Sequence, residues 1–71
     1  MNRYYLEYLL KQNNTSIQEL GEKLNLSYQC IKLKVNGTNE FKLSEIRKII
    51  SLFNLSEEDV MKTFFNDLKV N

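Results

Sequence analysis

The 71-residue chain contains no histidine, no proline, only two glycines and a single cysteine. The absence of histidine removes the commonest general base and the commonest metal ligand. One thiol without a histidine cannot complete a usual zinc site, and the sequence has no glycine-rich loop that would bind phosphate. We therefore expect a protein that is not an enzyme, with no catalytic residues, no metal site and no cofactor.

Targeting segments are also missing. No apolar run approaches the roughly 18 residues that a transmembrane helix needs, and the first residues lack the apolar core and cleavage site of a signal peptide. The lone Cys30 cannot form an internal disulfide, which suits a reducing compartment. We expect no membrane association and a cytoplasmic location, and we interpret Cys30 as a small packed side chain rather than a reactive thiol.

Helical patterning fills most of the chain. Apolar residues recur every three or four positions, and no alternation of apolar and polar residues is long enough to predict a strand. The length suits one domain, which we place over residues 1–71. The sequence predicts an all-α fold with five helices, at about residues 3–12, 16–24, 27–35, 43–53 and 56–66.

Serines mark the predicted helix starts, because a serine hydroxyl can accept a hydrogen bond from the first turn of a helix. The predicted caps are Ser16 (or Thr15), Ser27, Ser44 and Ser56. Asp59 follows Ser56 by three residues, which is close to a capping box. The predicted core comprises Tyr5, Leu6, Leu9, Leu10, Ile46, Ile49, Ile50 and Phe53, with Phe41 inserting from a loop.

Residues 16–37 form the most informative segment, two short amphipathic helices joined by a tight turn. Apolar residues lie three and four apart on each helix: Ile17, Leu20 and Leu24 on the first, Ile31 and Val35 on the second. Asn25 suits the turn because asparagine tolerates the left-handed conformation, and the small Gly21 lets the two helices cross closely. The layout is that of a DNA-binding helix-turn-helix, although a plain helical hairpin has the same spacing.

The outward positions of the second motif helix carry side chains that can read bases. We predict that Tyr28, Gln29 and Lys32, and less clearly Leu33, face outward. Glutamine can pair with adenine, and lysine can donate to guanine O6 and N7. Each of these residues taken alone fits an ordinary solvated surface better, whereas the set, together with the helix stop and the lysine and asparagine residues that follow, favours base reading.

A second set of polar residues suits the phosphate backbone. The exposed N–H groups at a helix start favour an anion, which points to the beginning of the first motif helix. The predicted backbone contacts are Ser16, Gln18, Ser27, Asn36, Thr38, Asn39 and Lys42.

A family resemblance rests on Leu20, Gly21, Leu24, Leu26-Ser27, Ile31 and Asn36-Gly37. With these residues the segment resembles the helix-turn-helix family of phage repressors and Cro proteins, also called lambda-repressor-like or xenobiotic-response-element regulators. Residues 40–65 resemble the corresponding part of small regulators from phages of Gram-positive bacteria. The resemblance covers about residues 4–65 and implies a compact five-helix lambda-repressor-like domain in a bacterial host cell.

Two positions depart from the family pattern. The family often has glutamine where this chain has Ile17, and there the glutamine contacts phosphate and braces the reading helix. It often has glycine in the turn where this chain has Asn25. These departures bear on affinity and on the exact contacts more than on the fold.

The charge is small in total but uneven along the chain. The net charge is only +1, which is low for a nucleic-acid-binding domain. Residues 1–26 are neutral; residues 27–54 carry five basic and two acidic side chains, hence +3; residues 55–71 carry two basic and four acidic ones, hence −2. The positive charge therefore follows the second motif helix and the loop after it, which would orient the domain on a polyanion.

Two functions fit these observations. The first is a sequence-specific transcriptional regulator that binds a double-stranded, near-palindromic DNA operator as a homodimer. The second is a protein-interaction module on the same scaffold, an antirepressor or an antitoxin-like partner. Ile17 and the low net charge favour the second slightly, whereas Tyr28, Gln29, Lys32 and the loop at residues 36–42 favour the first, which we prefer.

The end of the chain is the predicted dimer interface, formed by Phe64, Phe65 and Leu68. A short chain cannot readily hide this many apolar side chains. We expect one phenylalanine to close the core, and the other to be buried with Leu68 only in a two-fold pair. The sequence also suggests that the acidic residues 57–59 lie at this end and turn it away from DNA.

Overall fold

The structure, a computed structural model, describes residues 1–66. These residues form five helices and no strand: α1 (Arg3–Gln12), α2 (Ile17–Lys23), α3 (Tyr28–Val35), α4 (Leu43–Phe53) and α5 (Glu57–Phe64). The predicted all-α fold is confirmed. The predicted bounds agree within one residue for the first four helices, whereas α5 ends earlier than expected because Phe65 leaves the helical conformation. None of the helices within residues 1–66 is long and apolar enough to cross a membrane.

Three of the four predicted serine caps are present. The hydroxyls of Ser16, Ser27 and Ser56 each accept a hydrogen bond from the backbone N–H three residues later, at 3.0, 3.2 and 3.1 Å. At Ser16 and Ser56 the bond is reciprocated by an acidic side chain, which completes a capping box.

The predicted cap at Ser44 is wrong. Helix α4 begins at Leu43, with Lys42 as the residue before its first turn and no side-chain cap. The carboxylate of Glu45 accepts the Lys42 backbone N–H instead, at 2.8 Å. An acidic residue that reaches back satisfies this donor without a serine, so the helix starts before Ser44.

Asparagines make the tight turns. Asn14, Asn25 and Asn54 have φ values of 50°, 61° and 52°, in the left-handed region that asparagine tolerates better than most residues. The turn predicted at Asn25 is therefore confirmed. Gly37, which follows the end of α3, has φ of 90°, a conformation that favours glycine.

One core cluster holds the first four helices together. It comprises Leu6, Leu10, Leu20, Leu24, Ile31, Val35 and Ile49. Phe41 packs against this cluster from the loop, as predicted, and its ring meets the edge of Phe64 at 6.0 Å between centroids.

Polar contacts attach α5 to the start of the chain. The Tyr5 hydroxyl donates to Asp59 Oδ1 at 2.7 Å, and the Asn2 N–H donates to the Thr63 carbonyl at 2.7 Å. Thr63 is fully buried, and its hydroxyl donates to the Asp59 carbonyl. Helix α5 therefore closes the domain over α1.

We expect the crossing of α2 and α3 to limit the side chain at position 21. A Cβ atom on Gly21 would lie 2.7 Å from Ile31 Cγ2 and 3.2 Å from the Leu26 carbonyl oxygen. Gly21→Val should lower the free energy of unfolding by about 2–3 kcal/mol through overpacking. Gly21→Ala should cost less, because its helix propensity offsets about 1 kcal/mol of the strain.

Urea denaturation measures both changes. Glu22→Val is the control, since it adds the same β-branched side chain at an exposed position of α2. Equal costs for the two valine variants would show that the helices do not cross as closely as described.

Candidate functional site

The second motif helix, α3, is fixed from its inner side. The Leu26 N–H in the turn donates to the Gly21 carbonyl at 2.8 Å, and Leu26 packs against the core. Ile31 is fully buried, and Val35 continues the same face one turn later. The inner face of α3 thus belongs to the core, which leaves its outer face to solvent.

The three predicted base-reading residues lie on that outer face. Tyr28, Gln29 and Lys32 are exposed, and 51% of the Tyr28 surface is accessible. The Lys32 ammonium lies 5.8 Å from the centre of the Tyr28 ring, one turn earlier on the helix. This separation permits a cation–π contact, so the structure brings Tyr28 and Lys32 together. Leu33 is also exposed.

Ser16 and Gln18 lie exposed at the start of α2, but this start already carries a carboxylate. The Ser16 N–H donates to Glu19 Oε1 at 3.0 Å, and the Ser16 hydroxyl accepts from the Glu19 N–H. The bond from the Ser16 N–H, and to a smaller extent the bond to the Ser16 hydroxyl, hold the pKa of Glu19 below its ordinary value of 4.5. An ionised Glu19 therefore shares the helix end where a phosphate was predicted. The sequence signal for this arrangement is a serine followed three residues later by a glutamate, here Ser16 and Glu19.

Ser27 and Cys30 begin α3. The Ser27 hydroxyl is exposed and accepts the Cys30 N–H, so it caps the helix. Cys30 is a free, half-buried thiol on the same turn. No cluster of three histidine, cysteine or acidic residues that could hold a metal occurs in the described part of the chain.

The loop after α3 holds the remaining predicted backbone contacts. Asn36, Thr38, Asn39 and Lys42 are all exposed. Asn36 Oδ1 accepts the Thr38 N–H at 2.9 Å, and the Asn39 N–H donates to the Leu33 carbonyl at 3.1 Å. The loop is therefore folded back onto the end of α3 and presents its side chains outward.

Lys34 does not belong to the exposed positive surface that the sequence suggested. It is buried, and its ammonium lies 2.5 Å from Glu45 Oε1 on α4. Lys34 follows Ile31 by three residues and so shares the inward face, a placement that the helical period itself predicts. Because Glu45 is removed together with Lys34, the charge left on residues 27–54 is still +3, from Lys32, Lys42, Arg47 and Lys48 against Glu40.

The predicted dimer residues divide between the core and a groove. Phe64 packs against the core, and Phe65 is half-buried. Phe65 lines a surface groove of about 400 Å³ together with Met1, Gly37, Asn39, Glu40, Phe41, Ile46 and Phe64. Leu68 lies outside the described residues.

The acidic residues 57–59 are not beside this groove. They occupy the first turn of α5, whereas Phe64 and Phe65 lie at the opposite end of the helix, roughly 10 Å away along its axis. The groove instead adjoins the loop that follows α3. Residues 57–59 therefore do not lie at the end of α5 that carries Phe64 and Phe65, as the sequence suggested.

Comparison with known protein families gives one match. The model of the Cro/C1-type helix-turn-helix DNA-binding domain matches residues 5–66, which include all five helices except the first residues of α1. No significant match was found among curated proteins or solved structures. With this match over most of its length and with its five-helix all-α, lambda-repressor-like fold, the chain belongs to the Cro/C1-type helix-turn-helix DNA-binding family.

Proposed function

We propose that this protein is a sequence-specific transcriptional regulator of the phage Cro or repressor kind, acting in the cytoplasm of a bacterial host. It reads an operator through the major groove with α3. The observation that carries the proposal is the outer face of α3, where Tyr28, Gln29 and Lys32 are exposed while the inner face is fixed in the core. The phage origin and the Gram-positive host rest on the resemblance of residues 40–65.

Direct readout is assigned to three side chains. Gln29 suits adenine, to which its amide can donate and accept, and Lys32 suits the O6 and N7 acceptors of guanine. Tyr28 contributes its hydroxyl, and its ring centre lies 5.8 Å from the Lys32 ammonium on the same face of the helix.

Backbone contacts are assigned on either side of α3. Ser16, Gln18 and Ser27 are exposed at the helix starts, and Asn36, Thr38, Asn39 and Lys42 are exposed in the following loop. Such contacts fix the register of the domain on DNA without reading sequence. The +3 charge of residues 27–54 supports this side of the domain as the one that faces DNA.

The protein binds as a homodimer in this proposal. A single small module usually covers one half-site and buries too little surface for tight binding, whereas a two-fold pair covers two half-sites one helical turn apart. Phe65 supports an interface at the end of the chain because its side chain is only partly covered and lines a groove. Leu68 is assigned to the same interface.

A protein-interaction module remains the second candidate, as an antirepressor or an antitoxin-like partner. The observation that favours it is Glu19, whose ionised carboxylate lies at the start of α2 and opposes a phosphate there. The low net charge favours it as well.

One titration separates the two functions. Fluorescence anisotropy is measured with the DNA that flanks the gene encoding this protein, over a series of salt concentrations. A regulator should bind saturably, with log K falling linearly as log salt rises. The absence of saturable binding at low salt would refute DNA binding and leave the interaction module.

Loss of a base-reading side chain should reduce specificity. Gln29→Ala or Lys32→Ala should cost about 1–3 kcal/mol on the cognate site and much less on random DNA, because the lost contacts are to bases. Competitive anisotropy with both DNAs measures this difference. Gln12→Ala, on the exposed side of α1, is the control for Gln29. An equal loss on both DNAs would assign the residue to the backbone instead.

Loss of a phosphate contact should act on all sequences alike. Lys42→Ala should weaken specific and random binding to the same extent and lower the salt slope by about one unit. Lys62→Ala removes an exposed lysine from the acidic helix α5 and should leave the slope unchanged. If the salt slope of Lys42→Ala equals that of the wild type, Lys42 does not belong to the DNA-binding surface.

Dimerisation should depend on the end of the chain. The double variant Phe65→Ala, Leu68→Ala should sediment as a monomer at concentrations where the wild type is a dimer, because it removes the proposed apolar contact. Leu52→Ala, which truncates an exposed leucine on α4, should not change the sedimentation. A monomeric wild type at DNA-binding concentrations would exclude this interface in the free protein.

A further inference from the structure

One carboxylate oxygen connects the two sides of the loop at residues 36–42. Glu45 Oε1 accepts from the Lys34 ammonium at 2.5 Å and from the Lys42 backbone N–H at 2.8 Å. Lys34 lies in the last turn of α3, and Lys42 immediately precedes α4. The side chains of Lys34 and Glu45 are only 8% and 9% exposed, so water does not compete strongly for these bonds.

The rest of the loop is held from other directions. The Asn39 N–H donates to the Leu33 carbonyl, and Phe41 packs against Phe64 and the core. Neither contact involves Lys42. The Lys42 carbonyl accepts the N–H groups of Glu45 and Ile46 at 3.0 Å each, in the first turn of α4. The Glu45 carboxylate holds the other side of the residue, its N–H group, and so contributes to the direction in which the exposed Lys42 side chain leaves the domain.

A gain in stability does not by itself explain the buried Lys34–Glu45 ion pair. Removing two charges from water costs free energy that their mutual attraction only partly returns, and apolar pairs of similar size often replace buried ion pairs without loss. A hydrogen-bond acceptor, unlike an apolar side chain, can fix the direction of a particular N–H group. The two roles therefore separate: Glu45 orients Lys42, and Lys34 offsets the cost of burying the Glu45 charge.

We propose that Glu45 is a positioning residue for DNA binding, which sets the Lys42 ammonium in register with the outer face of α3 through its bond to the Lys42 N–H. This inference rests on the proposed function, in which Lys42 binds a phosphate while α3 reads bases. Glu45 itself is buried, so its role in this proposal is to position Lys42 and not to contact DNA. Misplacing Lys42 would leave the base-reading residues intact but would remove one phosphate contact.

Two double variants isolate the acceptor. Replacing Glu45 alone would leave the Lys34 charge buried without a partner and would destabilise the domain. K34M/E45Q and K34M/E45M both remove the ion pair and keep side chains of similar length. Only glutamine retains an Oε1 acceptor for the Lys42 N–H. The readouts are thermal unfolding, affinity for the operator and the salt slope.

K34M/E45Q should bind DNA within about threefold of the wild type with an unchanged salt slope. K34M/E45M should bind about tenfold more weakly, as expected when the Lys42 ammonium loses its hydrogen bond to a phosphate, and its salt slope should be lower by about one unit. Equal binding by the two double variants, whether as strong as the wild type or equally weakened, would overturn the positioning role.

A second measurement does not depend on the methionine variant folding. In the free wild-type protein the Lys42 amide should exchange its hydrogen slowly, because it is bonded to a buried carboxylate. Exchange as fast as in an unstructured peptide would overturn the proposal. Failure of the wild type to bind any DNA would instead refute the proposed function, and the protection of Lys42 would tell the two failures apart.

Discussion

The close crossing of α2 and α3 at Gly21 and Ile31 sets how the outer face of α3 is presented. The space above Gly21 is filled by the Ile31 side chain, which is fully buried. Since interiors pack at nearly crystalline density, such a contact leaves little freedom in the distance and the angle between the two helices. Together with the Leu26–Gly21 hydrogen bond and the burial of Val35, that contact positions the outward residues of α3.

Electrostatics add direction to this rigid frame without a large total charge. The positive excess on residues 27–54 survives the burial of Lys34, because Glu45 is withdrawn with it. Residues 57–59 concentrate negative charge at the start of α5, next to α1 rather than beside the groove at the other end. Such a separation of charge would orient the domain on a polyanion. The ionised Glu19 places a negative charge at the start of α2, which opposes a phosphate at that helix end.

Local rules predicted most of the fold. Serine caps, asparagine turns and three-to-four-residue apolar spacing each depend on neighbours within one or two turns, and these features placed Ser16, Ser27, Ser56 and Asn25 correctly. Two features depart from the sequence expectations. The helical period places Lys34 inward, but its partner Glu45 is eleven residues away on another helix, so the buried ion pair is not visible from spacing. At the start of α4 the local bond from the Lys42 N–H to Glu45 takes the place of a cap at Ser44. The exposure of Tyr28, Gln29 and Lys32 followed from helical period, whereas the groove beside Phe65 required the packing of α5, which sequence spacing alone does not determine.

Three carboxylates that bond to the backbone at helix starts make the stability of the domain sensitive to acid. Glu19, Glu45 and Asp59 each occupy the third position of a helix and each accept the backbone N–H of the residue before that helix. The pKa of each group lies below its ordinary value, which is 4.5 for Glu19 and Glu45 and 3.8 for Asp59. Hydrogen bonds with Ser16 lower the pKa of Glu19, and the Tyr5 hydroxyl is the main cause at Asp59. At Glu45 burial raises the pKa, but the hydrogen bonds from Lys34 and Lys42 together lower it by more. A carboxyl group with a lowered pKa stabilises the folded state above its ordinary pKa, and this contribution is lost as the pH falls through the folded-state value. As the pH falls below the ordinary pKa values of these groups, the starts of α2, α4 and α5 each lose this contribution, so that protonation loosens the frame around α3 at three points.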